Sequence, residues 1–122
     1  IELQGYDLSP KSAKAGEKLD LTLYWRAANL IGKELTVFNH VVDGKGRIWG
    51  QQDGQPMQSK YPTSVWSPGE VITDKHTITL QADAPPGIYQ VLTGLYDPIT
   101  GDRVITGNGS DKVVLAEIEV RR

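Results

Sequence analysis

The chain has no cysteine and only one methionine and one phenylalanine among its 122 residues. Without cysteine there is no disulfide, no thiolate nucleophile and no thiolate metal ligand. The fold must therefore rest on packing and hydrogen bonds alone. No apolar run approaches the roughly 20 residues that a membrane-spanning helix requires, so direct membrane insertion of this segment is not expected. Neither sign of charge dominates. Thirteen Lys and Arg stand against 15 Asp and Glu, a formal net charge of −2. That balance offers no basic footprint for nucleic acid and no polybasic patch for a lipid surface. Convincing helical periodicity is missing too. The chain opens on Ile1 and its only methionine is Met57, so we expect residues 1–122 to be a single domain excised from a longer protein.

What is present is period-two alternation. Leu19, Leu21, Leu23 and Trp25 alternate with Asp20, Thr22, Tyr24 and Arg26, which predicts a strand with one buried face and Trp25 as a core anchor. The opening segment changes parity between Leu3 and Tyr6, so a bulge or a change of sheet is expected at Gly5. Leu35–Val42 and Arg47–Gln52 read as strands around an Asp43–Gly46 hairpin turn. Phe38 and Val42 share one face of the first of these, and Leu35, Val37 and Val41 the other, as in a central strand covered on both sides. Ile72, His76, Ile78 and Leu80 mark a further half-buried strand, Tyr89–Leu95 another, Arg103–Thr106 a short one and Lys112–Val120 the last.

Between Gly54 and Gly69 there is no clean period and there are three prolines, Pro56, Pro62 and Pro68, which predicts a long loop. Structureless loops beyond about 12–15 residues are uncommon in compact domains and are often functional. Asp83-Ala84-Pro85-Pro86-Gly87-Ile88-Tyr89, an acidic corner followed by a tyrosine opening a strand, resembles the tyrosine corner of Greek-key sandwiches. With roughly seven to nine short, evenly punctuated strands, two packed antiparallel sheets are the natural solution.

Motifs for catalysis are not evident. Nucleophilic catalysis needs an activated Ser or Thr beside a held base. The only histidines, His40 and His76, fall inside predicted strands and outside any nucleophile-elbow pattern. They also cannot assemble a zinc site without further ligands. Asp43–Gly46 and Asp97–Asp102 offer carboxylates to calcium, but Asp, Gly and Pro are what hairpin turns require. No catalytic residue, metal site or cofactor is expected. Trp49, Gln52, Asp53, Tyr61 and Trp66 lie in or beside the long loop, a mixture of aromatic faces and polar groups suited to a sugar ring. The same aromatics could instead fold back to cover an open end of the sandwich. Burying one such ring contributes about 2–3 kcal/mol.

Three stretches, Leu21–Ala27, Tyr61–Glu70 and Asp83–Gly101, together resemble an immunoglobulin-like domain at the C-terminal end of bacterial membrane glycosyltransferases that use lipid-phosphate-linked sugars, mannosyltransferases among them. The resemblance implies an immunoglobulin-like or fibronectin-like Greek-key sandwich on the extracytoplasmic side of a bacterial membrane. It further implies a non-catalytic accessory domain, not itself an enzyme, whose partners are a glycan or lipid-linked sugar, or the membrane part of its own parent chain. A protein-interaction or structural module is the alternative, favoured by an unprotected sheet edge along Ile1–Leu8 or the last strand.

Overall fold

The computed structural model describes Ile1–Arg122, and apart from two short 3-10 turns in the long loop (Pro56–Ser59 and Thr63–Val65) its regular structure is all strand: β1 (Glu2–Ser9), β2 (Ser12–Lys14), β3 (Lys18–Arg26), β4 (Thr36–Val42), β5 (Ile48–Gly54), β6 (Val71–Thr79), β7 (Gly87–Tyr96) and β8 (Val113–Arg121). They form two sheets, ordered β1-β3-β6 and β2-β8-β7-β4-β5. All pairings are antiparallel except that of β2 with β8. The fold is thus all-β with two packed sheets.

Alternation decides what lies between the sheets. Leu19, Leu21, Leu23 and Trp25 of β3 face Ile72 and Ile78 of β6, Val37 and Val41 of β4, and Val91 and Leu95 of β7 in one buried cluster. At Gly5 the register of β1 against β3 shifts by a bulge, which turns Leu3 and Leu8 inward despite their opposite parity. The change of sheet comes later, at Pro10 and Lys11, between β1 and the short β2. β2 has only three residues, too few for alternation to reveal it.

β4 is covered on both sides. Val37, Asn39 and Val41 point into the interior, while Phe38 and Val42 join Leu92 in a small cluster on the outer face. Gly94 makes room for the Phe38 ring. A Cβ there would stand 2.4 Å from Phe38 Cζ and 2.9 Å from the Asp111 carbonyl oxygen. The Arg103 guanidinium caps the other side of that ring at 4.4 Å. Arg103–Thr106, expected as a strand, makes only an isolated bridge from Arg103 to Tyr96. Arg103 lies over Phe38 on the outer face, while the Val104 N–H donates to the Leu95 carbonyl at 2.8 Å and Val104 packs against the main core, so the segment does not pair along its length. The corner before β7 forms as expected: the Tyr89 hydroxyl donates to the Pro85 carbonyl four residues back.

Candidate functional site

The long loop is mostly a lid on one end of the sandwich. Trp66 is buried, and its indole N–H donates to the Tyr61 carbonyl at 2.9 Å. Thr63 is buried as well. Its hydroxyl donates to the Lys33 carbonyl at 2.7 Å and accepts the Leu35 N–H at 2.8 Å. The Tyr61 hydroxyl donates to Glu70 at 2.6 Å, and that carboxylate raises the phenol's pKa above its ordinary value. Trp49 is also buried. Its N–H reaches the Asp43 carboxylate at 3.0 Å, and the Arg47 guanidinium lies 4.2 Å over the ring. Neither tryptophan offers a face to solvent, so the covering role describes them and an exposed platform does not.

Gln52 and Asp53 take separate places, because neighbouring strand residues point to opposite faces. Asp53 is on the outer face, where it accepts from the Tyr96 hydroxyl at 3.3 Å beside His40 and Arg103. His40 is tilted against Phe38 with ring centroids 5.1 Å apart. Burial lowers its pKa below 6.5, with the Asp53 charge opposing that shift and Arg103 adding to it.

Gln52 points inward, to a line of polar side chains that crosses the interior from sheet to sheet. The Trp25 N–H on β3 donates to Asp74 on β6 at 3.3 Å. His76 Nε2 is 2.6 Å from the same carboxylate, and His76 Nδ1 is 2.7 Å from Gln52 Oε1 on β5. Gln52 Oε1 accepts from Asn39 on β4 at 3.2 Å, and the Asn39 oxygen accepts from Thr93 on β7 at 2.8 Å. The Asp74 and His76 side chains are 0% and 3% exposed. No buried side-chain polar atom in the protein is left without a partner. Such pairing is obligatory, because an uncompensated buried charge is strongly destabilising.

The free oxygen of Asp74 reaches the loop, accepting the Met57 backbone N–H at 2.8 Å. Met57, Gln58 and Ser59 all lie in the left-handed region, with φ of 54°, 56° and 68°. For residues other than glycine this costs on the order of 1–3 kcal/mol each and persists only where the surroundings impose it. The strained turn forms one rim of a cleft of about 790 Å³. Gln52, His76 and Leu21 lie in its floor, and Asp20, Thr22, Lys75 and Thr77 in its wall, with Gln55, Gln58 and Ser59 opposite. Leu21 is the single apolar side chain among them. The cleft therefore presents amides, hydroxyls and one charge of each sign. Of the residues proposed from sequence, it contains only Gln52. Asp74 escaped sequence reasoning, although its parity with Ile72, His76 and Ile78 already turned a carboxylate inward.

No family model matches the chain, and no curated protein matches it. Among solved structures it is similar to the alkylpurine DNA glycosylase AlkC of Pseudomonas fluorescens bound to DNA containing an abasic site analog. The TM-score is 0.59 at 13% identity, and the match covers 99% of this chain but 30% of that one. At that identity the likeness concerns the fold. It corrects one expectation nonetheless. The chain was expected not to be an enzyme because its sandwich lacks a catalytic motif, yet this same fold makes up part of an enzyme. Absence of a motif in the domain therefore does not set it apart from a catalytic polypeptide.

Proposed function

We propose that this domain is an immunoglobulin-like Greek-key accessory module of a bacterial cell-envelope glycosyltransferase, and that it holds the glycan of a substrate or product in its polar cleft. The observation that carries the reading is the cleft itself. Its lining is amides and hydroxyls from β3, β5, β6 and the loop, the groups that exchange hydrogen bonds with sugar hydroxyls. Its floor is fixed by a buried network and its rim by a strained turn, so little order has to be created on binding. The tyrosine corner and the two-sheet architecture support the immunoglobulin-like assignment. The parent enzyme and the extracytoplasmic location rest on the three stretches that resemble the glycosyltransferase domain.

Two competing ligands fit less well. DNA, present in the AlkC structure, needs phosphate neutralisation, whereas the cleft carries Lys75 opposed by Asp20 and the chain is net negative. Strand addition by a partner protein needs a free edge. Along the first part of β1 that edge is occupied by Asn108, whose side chain accepts from the Leu3 N–H at 2.9 Å and donates to the Leu3 carbonyl at 3.2 Å.

The test is an NMR titration of the domain with a panel of bacterial glycans and a DNA duplex. Saturable shifts at Thr22, Gln52, Gln55 and Gln58 are expected for a glycan, and Gln58→Ala should weaken binding about fivefold, the worth of one hydrogen bond. Shifts confined to His40, Gln51 and Asp53, a response to DNA alone, or no response to any glycan would sink the proposal.

A further inference from the structure

We infer that His76 is a proton-dependent latch on the polar cleft: protonated on both ring nitrogens, it ties Gln52 in the floor to Asp74, which holds the strained rim. The inference concerns regulation of the proposed glycan site and rests on that reading for its functional consequence, though not for its chemistry.

The protonation state follows from counting donors along the buried line. The Gln52 backbone carbonyl orients the Asn39 amide, because only the nitrogen can face that oxygen at 3.3 Å. The Asn39 oxygen then meets the Thr93 hydroxyl at 2.8 Å, whose single proton also has the Phe38 carbonyl at 3.1 Å in reach. The same Asn39 nitrogen is 3.2 Å from the end of the Gln52 side chain. That end must therefore be oxygen, since two amide nitrogens would otherwise confront each other with protons. His76 Nδ1, 2.7 Å from this oxygen, has to donate. Nε2 lies 2.6 Å from Asp74. It donates as well, because Asp74 also takes the Trp25 N–H at 3.3 Å and the Met57 N–H at 2.8 Å and, when ionised, is an acceptor toward all three partners. An imidazole that donates from both nitrogens is an imidazolium.

Removing either proton sets a lone pair against an acceptor. If Nδ1 loses its proton, Gln52 cannot turn its amide round, because Asn39 holds the oxygen in place. If Nε2 loses it, Asp74 is left with Trp25 and the Met57 N–H while facing a lone pair at contact distance. In either case the rim or the floor of the cleft has to move. The rim is the part under strain: apart from the bond to Asp74, the turn is held by local backbone bonds such as Lys60 N–H to the Met57 carbonyl at 3.1 Å.

The charged groups near the ring are few. β6 contributes Asp74 in contact and Lys75 at the cleft wall, and β3 contributes Asp20 at the wall with only Leu21 and Trp25 beneath. β5 and the turn contribute Gln52, Gln55 and Gln58, and His40 lies on the opposite face of β4. Among these side-chain types only imidazole ordinarily changes charge between about pH 5 and 8. Acid therefore favours the closed, ordered cleft and alkali loosens it.

The experiment is nitrogen-15 NMR of the His76 ring in the full 122-residue chain, with hydrogen exchange of the Met57 amide followed across about pH 5 to 9. Both ring nitrogens should show protonated shifts while the latch is closed. Once base-catalysed intrinsic exchange is divided out, Met57 should exchange roughly tenfold faster after His76 loses its proton. In His76→Gln that pH dependence should vanish. If the variant does not fold, the wild-type spectra decide alone. A bare ring nitrogen in the folded protein at acidic pH overturns the inference, as does a Met57 amide indifferent to His76 titration. Glycan titrations at both ends of the range separate the two readings. A latch that titrates while no glycan binds removes the function and leaves the latch. A glycan that binds equally at both ends, with Met57 unmoved, does the reverse.

Discussion

Two regions of the same interior are held by different physics. Around Leu19, Leu21, Ile78, Leu80 and Val91 the space between the sheets is filled by aliphatic side chains. Around Trp25, Asp74, His76, Gln52, Asn39 and Thr93 it is crossed by a hydrogen-bonded line that includes the buried Asp74–His76 contact. Apolar contact is non-directional and tolerates exchange of one hydrocarbon for another of similar volume. The polar line does not, because each side chain in it needs a partner of the opposite hydrogen-bonding role at a fixed place. The aliphatic region makes the domain stable, and the polar region fixes where the cleft and its rim must be. A buried ion pair is a weak contributor to net stability but a strict one in geometry.

The polar line is most vulnerable at Asp74. Asp74→Ala leaves the His76 imidazolium, the Trp25 N–H and the Met57 N–H without their acceptor, and should cost about 3–5 kcal/mol in chemical denaturation. The contrast between the two regions sharpens if both partners are replaced together. Asp74→Leu with His76→Met should restore most of that stability, since apolar replacement of a buried pair is often neutral or better, yet leave the Met57 amide unprotected in hydrogen exchange. A double variant as unstable as Asp74→Ala would mean that the polar line does contribute net stability.

On the apolar side, Trp66→Ala removes a buried ring from beneath the loop and should cost about 3–5 kcal/mol if the cavity stays open, at the lower end if the loop collapses. Under conditions where the variant remains folded, shifts of the cleft residues with glycan should persist, because Trp66 does not line the cleft. Tyr89→Phe loses a single corner hydrogen bond and should cost about 1 kcal/mol. The smallest effect concerns pH. Burial lowers the pKa of His40 below 6.5 in the folded state. The unfolded chain then takes up this proton first as the pH falls, so His40 contributes a loss of stability that begins near 6.5 and grows on acidification. His40→Gln should remove that increment from the stability-pH curve, and an unchanged curve would contradict the lowered pKa.

Much of the fold was legible. The alternation of Leu19 through Trp25 and of Ile72 through Leu80 identified two strands and their inner faces, because residues two apart in a strand share a side. The parity change at Gly5 announced a bulge or a change of sheet, of which the structure has the bulge there, and Tyr89 after Asp83–Gly87 announced the corner. What escaped was short or non-periodic. β2 is three residues long, and Arg103–Thr106 had a strand's composition but makes only the isolated bridge from Arg103 to Tyr96. The site was less legible than the fold. Trp49, Tyr61 and Trp66 stood out as aromatics near a loop, yet whether such rings face water or hydrocarbon depends on how the loop returns to the sandwich.

Local pattern was enough to establish that this chain folds as strands, which faces of several of those strands turn inward, and that His76 lies on the face of Ile72 and Ile78. Period and parity are local properties of an extended backbone. Only the tertiary structure decided that Gln52 arrives opposite His76 from the other sheet, that Asp74 reaches forward to Met57, and that the loop's first part borders a cleft while its second part seals the core. Those outcomes depend on distances between segments far apart in the chain, which are set by sheet order and by the packing of one sheet on the other.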